Sequence, residues 1–270
     1  MISRPDIARA FPGIYRAAQS GFSAHFAIAG LNFHHQLQVV DRYSQVADGN
    51  TDYVDYWFTP FTSTEYVNAG CLDSYNLADR EKITVSGWHA NDISQFESNH
   101  FLILFDNTAE RQVAVTRAEL AIRPDVANIY HNLKTARQAG FSCSFDLNNA
   151  QLIGGHSYSV VSRYSTSDQD NGGGGQYTDY WFTLPVLNQR AFSIDAQEMT
   201  KEGLKVSGWI VSDYSADHPY AYLILLNNGK EIGRQAVTLT ARPDVGKAYA
   251  HIYGSAVSGF STLIKLANPA

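Results

Sequence analysis

The chain has 270 residues, 44% hydrophobic and 17% charged, which describes a folded protein with room for two ordinary domains and excludes a disordered polymer. Its net charge of −6 argues against a nucleic-acid or anionic-membrane surface, where a basic patch is expected. No apolar run approaches the roughly 20 residues that cross a bilayer, so membrane insertion is not expected either.

Arg4-Pro5-Asp6-Ile7 opens the chain and returns as Arg123-Pro124-Asp125-Val126 and Arg242-Pro243-Asp244-Val245; positions 4, 123 and 242 are 119 residues apart. Each copy has a Gly-Phe partner in the same register: Gly21-Phe22, Gly140-Phe141 and Gly259-Phe260. A spacing kept to the residue means that both marks belong to one packed supersecondary unit, and internal repetition takes precedence over other sequence signals. The repeat begins three residues after Met1 with no signal peptide legible ahead of it, so the N-terminus reads as an expression boundary or an internal cut.

In chain order, each Arg-Pro-Asp opens a short helical connector of one or two turns, with Pro where a missing N–H costs little and Ser3 or Asp6 expected to cap the first copy. Phe22 to Ile28 and Phe141 to Leu147 then alternate as strands packed on one side. Leu37 to Ser44 and Tyr158 to Ser165 follow, each closing in Arg-Tyr-Ser. After a polar loop, glycine-rich in the second copy (Gly172 to Gly175), comes a third strand: Asp55-Tyr56-Trp57-Phe58-Thr59 and Asp179-Tyr180-Trp181-Phe182-Thr183. Ile83 to Trp88 matches Leu204 to Trp209, and Phe101 to Phe105 matches Tyr222 to Leu226. Asn227-Asn228-Gly229-Lys230 predicts a hairpin. Short strands, turn chemistry between them and no long helix predict an all-β fold of tandem antiparallel, immunoglobulin-like β-sandwich modules. The polar stretches Thr62 to Asn76 and Asn188 to Lys201 read as linkers. On that phase residues 65–187 form one complete module, 1–64 the back half of another and 188–270 the front half of a third. The two halves are expected to meet, within one chain or by exchange between chains, because orphan half-sandwiches expose sheet edges.

The motif Arg-Pro-Asp-Val, twelve residues, Ser-Gly-Phe, then about twenty residues and Arg-Tyr-Ser resembles the RDV repeats of lactic-acid-bacterial extracellular proteins, found in the variable N-terminal region of some glucansucrases. Arg4, Gly21 and Arg42 carry it in the first copy. Arg123, Gly140 and Arg163 carry it in the second, where Ala139 replaces the usual Ser. The third copy ends before its Arg-Tyr-Ser. The resemblance implies a secreted or cell-surface accessory region without catalysis, a partner among cell-wall polymers or exopolysaccharides such as α-glucan, and no cofactor.

The repeated Arg4, Asp6, Arg42, Asp55, Arg123, Asp125, Arg163, Asp179, Arg242 and Asp244 read as structural, an Arg–carboxylate network tying connector to sheet. The sugar-binding candidates are aromatic, because a ring face stacks on the apolar side of a pyranose while polar neighbours read its hydroxyls. Alternation sets Trp57 with Tyr53, and Trp181 with Tyr177, on the face opposite Tyr56 and Tyr180, so these lead. Trp88, with its neighbour His89, and Trp209 follow, and also fit a core. The loop at Asp168-Gln169-Asp170-Asn171 resembles the start of a calcium loop but lacks the bidentate Glu, and reads as a hairpin tip. His34-His35 is an adjacent pair without the three or four ligands a zinc site needs, so no metal is expected. The serines of the repeat have no recurring His or Asp beside them, and no nucleophilic catalysis is expected. Cys71 and Cys143 do not recur with the repeat and read as free thiols.

Overall fold

The computed structural model describes residues 1–24, 26, 37–59, 67–131, 133–147 and 151–266. His34 and His35 lie outside these residues. The chain divides into two compact units, Met1–Thr62 and Ser63–Ala270.

In the first unit α1 (Pro5–Ala10) and a 3-10 turn (Ala17–Gln19) precede an antiparallel hairpin of β1 (Val40–Ser44) and β2 (Tyr53–Trp57). Pro5 starts the helix as expected, but neither Ser3 nor Asp6 caps it: the N-cap is Arg4, and Arg4 takes the Asp6 carboxylate at 2.7 Å. The strand expected from Phe22 is not formed at residues 22–24 or 26, and the rest of it lies outside the described residues. Its mates elsewhere are strands because each pairs with a Ser-Gly-Trp strand, which residues 1–62 do not contain.

The second unit begins with β3 (Asn68–Asn76), β4 (Lys82–Asn91), β5 (Asn99–Asp106), β6 (Arg111–Arg117) and β7 (Glu119–Ala121). After α2 (Pro124–Ile129) come β8 (Gly140–Asp146), β9 (Tyr158–Ser165) and β10 (Tyr177–Thr183). They form two antiparallel sheets, β3-β4-β8-β7 and β10-β9-β5-β6. Lettered A to G with C′ after C, this is the ABED and GFCC′ order of an immunoglobulin-like sandwich. Ile83, Val85, Phe141, Phe145, Leu102, Leu104, Val160 and Phe182 close the core between the sheets.

A third copy of the front strands follows: β11 (Arg190–Thr200), β12 (Gly203–Ser212), β13 (Ala221–Asn227), β14 (Lys230–Val237) and β15 (Thr240–Ala241), then α3 (Pro243–Ala248) and β16 (Val257–Lys265). Among the described residues it has the first sheet, β11-β12-β16-β15, but of the second only the hairpin β13-β14. That hairpin turns through Asn228 (φ 50°) and Gly229 (φ 79°), the left-handed pair that an Asn-Gly turn provides.

Two stretches read as linkers are strands instead. Residues 68–76 are β3 and 190–200 are β11, edge strands whose alternation is broken by a bulge at Leu72/Ser74 and Ile194/Ala196. Nor is there a break near residue 187. Leu187 is buried in the module core, and the third copy is pinned to the module by Leu77 N–H to Ala250 O (2.7 Å) and Gly254 N–H to Leu77 O (2.9 Å).

The fixed repeat spacing has a steric cause. A Cβ on Gly140 would sit 2.7 Å from Cγ of Arg123, and the same clash recurs at Gly21 with Arg4 and at Gly259 with Arg242. The glycine lies flat against the stem of the motif arginine, so neither mark can shift alone.

Candidate functional site

The repeated charges form two kinds of pair rather than one network. At the connector, Arg123 grips Asp125 at 2.6 Å through one nitrogen and Asp73, the bulge residue of β3, at 2.6 Å through another. Arg242 repeats this with Asp244 (2.7 Å) and Asp195 of β11 (2.8 Å). These arginines do tie connector to sheet, but through Asp73 and Asp195, which sequence reading missed although their place in the repeat made them visible. Hydrogen bonds from the arginines hold the Asp125 and Asp244 carboxyls at about 2.

The Arg-Tyr-Ser arginines stand elsewhere. Arg163 makes a two-pronged bond to Asp179, 2.7 Å on each arm, directly across β9 and β10. Arg42 does the same to Asp55 at 2.7 and 2.8 Å across β1 and β2. Each guanidinium also lies on a tyrosine face: Arg163 is 3.8 Å from the ring centre of Tyr177 and Arg42 is 3.6 Å from that of Tyr53. Tyr53 and Tyr177 therefore have one face occupied, and present only the other to a ligand.

Two residues along the same face of each strand stands the tryptophan. Trp57 is 64% exposed and Trp181 is 48% exposed. Phe105 meets Trp181 at 81° with ring centres 5.3 Å apart, making an aromatic corner on the outer side of the second sheet. Tyr180 and Phe182, on the inner side, pack on the core. The glycine-rich loop lies over the far end of the same face. Asp168 O accepts from Arg117 (2.6 Å), Asn171 donates to Gln112 (2.6 Å), and Gly172 O accepts from Ser165 (2.6 Å). The Asp168 and Gly172 carbonyls are thus spent on protein donors, and Gly172 packs against Phe101 while Trp181 stays exposed.

The other aromatic candidates serve the connector. Trp88 packs on Tyr130 at 5.9 Å beside Val126 and Ala139, and Trp209 on Tyr249 at 5.2 Å beside Val245. His89, grouped with the sugar contacts on sequence, is fully buried in the sandwich and leaves that set.

Its burial belongs to a polar network that sequence reading missed. His89 Nε2 faces Asn68 Oδ1 at 2.7 Å, its Nδ1 faces Ser162 Oγ at 2.9 Å, and Ser162 Oγ faces His100 Nε2 at 2.7 Å. Asn68 uses its NH2 on Asp179 O, so its oxygen must accept and His89 Nε2 carries the proton. His89 Nδ1 then accepts the Ser162 hydroxyl, and Ser162 accepts from a protonated His100 Nε2. Burial holds both rings neutral by pushing their pKa down to about 3. The third copy has Ile210 and Ala221 at the corresponding places. Only the failure of these histidines to repeat marked them in the sequence.

Cys143 is buried, its thiol pushed up to about 12 by desolvation, while Cys71 is exposed; both are free thiols. No protein-family model matches the chain, and no curated protein shows significant similarity to it.

Proposed function

We propose that the chain is a non-catalytic repeat module of a secreted bacterial surface protein that binds cell-wall polymer or exopolysaccharide, α-glucan included, beside a carbohydrate-active domain such as a glucansucrase. The observation that carries this reading is the matched exposure of Trp57 and Trp181, each beside an Arg–Asp pair and a half-covered tyrosine. A flat indole stacks on a sugar ring, and one such contact per module is weak. Two on one chain raise effective concentration for a polymer that spans both. Co-sedimentation of the full chain with purified Gram-positive walls and with insoluble α-glucan tests it: wild type is expected in the pellet and Trp57→Ala/Trp181→Ala in the supernatant. Wild type left in the supernatant at high protein concentration overturns it.

A second reading, self-association, is favoured by the open strand edges. Among the described residues β1 pairs only with β2 and β13 only with β14, whereas their mates β9 and β5 pair with each other. Docking β1 of one copy on β13 of another reproduces the missing ladder. Sedimentation velocity across a concentration series tests it, with Ile224→Pro in β13 expected to remove any dimer.

A further inference from the structure

Both copies of the β5–β6 hairpin carry a groove at the same place, each of about 450 Å3. It lies at one end of the sandwich, between that hairpin and the strand and 3-10 turn that flank the connector. The scaffold repeats and the lining does not. Asn99, His100, Arg117 and Gln138 line the groove of the complete module, and the aligned lining residues of the third copy are Tyr220, Ala221, Ala236 and Val257. The third-copy groove has polar groups of its own, Arg80 and Thr238, but only the lining of the complete module includes a buried histidine.

The decisive atom is His100 Nδ1. The ring is 7% exposed, stacks on Tyr164 at 4.2 Å, and spends Nε2 on Ser162. Nδ1 is buried and has no partner among the described residues. The proton order through Asn68, His89 and Ser162 puts the ring's single proton on Nε2, so Nδ1 is a bare acceptor. A buried acceptor left without a donor costs free energy, and is satisfied by whatever brings one. A neutral hydroxyl donates to it without bringing charge into the buried site; a carboxylate or a phosphomonoester dianion has no proton to give, and any phosphate brings a charge that burial disfavours. The same groove is lined by the Gln138 amide and the Ser98 hydroxyl, while Arg117 and the Asn99 amide at its edge already donate to Asp168 O and Ser165 O.

We propose that this groove is a second ligand site, distinct from the tryptophan faces, that takes one or two hydroxyl-bearing residues of a neutral saccharide with a ligand hydroxyl donating to His100 Nδ1. The ligand class rests on the polysaccharide reading above; the site and its demand for a donor do not. The groove grips a short segment by hydrogen bonds, where the tryptophans stack on rings along a chain.

Imidazole nitrogen NMR on the full chain tests it, with glucose, N-acetylglucosamine, maltose and inorganic phosphate as probes. His100 is expected as the Nε2–H tautomer, and one of the neutral sugars is expected to move Nδ1 upfield in a saturable way. The shift should survive in Trp57→Ala/Trp181→Ala, which removes only the stacking faces. In Gln138→Trp, which fills the groove from an exposed position, affinity should fall about tenfold or more, the equivalent of one lost hydrogen bond. An Nδ1–H tautomer, a response to phosphate alone, or an Nδ1 signal that no sugar moves (a site holding water only) each overturns the inference. So does a sugar response lost in the tryptophan variant and kept in Gln138→Trp. Wall binding that depends on Trp57 and Trp181 is read separately, so either site can fail while the other stands.

Discussion

Tyr43 and Tyr164 occupy the same place in their repeats, yet the first is 55% exposed and the second 7% exposed. Phe22 and Phe141 differ in the same way, 57% against 1%. Phe22 touches Phe58 at 5.6 Å much as Phe141 touches Phe182 at 5.7 Å, so the local contact survives although Phe22 stands at the surface. Local sequence builds the same cassette in both places; a facing sheet decides whether its apolar side is core or surface. Burial is where most of the free energy lies, so equivalent residues in the two regions should respond unequally to the same change.

The largest gap is expected at the aromatic pair. Phe141→Ala should cost about 3–5 kcal/mol in denaturant unfolding of the second unit, as large-to-small changes in closed cores do. Phe22→Ala should leave the unfolding midpoint nearly unmoved; equal losses would break the comparison.

The cross-strand ion pairs come next. Arg163 and Asp179 keep only 12% and 16% of their side-chain surface, and Arg163→Ala strands a largely buried carboxylate at a cost of about 1–3 kcal/mol. Arg42→Ala, on the open hairpin, should give a smaller change in thermal unfolding, because Arg42 is already 37% exposed and its ion pair is screened from that side.

Acid should separate the regions as well. Below pH 6.5 the unfolded chain takes up protons on His89 and His100, while the native rings resist until about pH 3. Their share of stability is therefore fully present above pH 6.5 and lost as pH falls through that window. Asp106, held low by His156 and backbone donors, adds to the loss further down, and Glu97, raised by burial, works in the opposite sense. Thermal melts from pH 7 to 4 should show the decline, and His100→Ala, the residue of the third copy, should flatten it.

Thiol titration gives the smallest readout. Cys71 should react promptly with an aromatic disulfide and Cys143 only on unfolding, so one fast thiol per native chain is expected.

Much of the fold was legible because repetition made it so. The three helix starts, the Asn228-Gly229 hairpin and the paired Ser-Gly-Trp strands all follow from residue types whose backbone preferences are local. β3 and β11 were not legible, because a bulge partway along each shifts the alternation by one residue, and β11 also turns Phe192, Ile194 and Met199 toward solvent. The outward set of Tyr177, Asp179 and Trp181 could be read from period two. The Arg163 fork could be foreseen in kind but not in partner geometry, since cross-strand register is set by the whole ladder. His89 and His100 were illegible as a pair: they lie on strands of opposite sheets and meet through Ser162, on neither of those strands.

By itself, the sequence determined a cassette: a proline-started turn, an arginine whose stem needs a glycine against it 17 residues on, and strands whose faces are assigned by alternation. Steric fit and backbone preference act over a few residues and need no partner, so every copy carries them. The tertiary structure alone decided which copy closes into a sandwich, which tyrosine is buried, and which imidazole nitrogen is left without a proton. Those depend on what faces each strand, and a face is contributed by residues far along the chain.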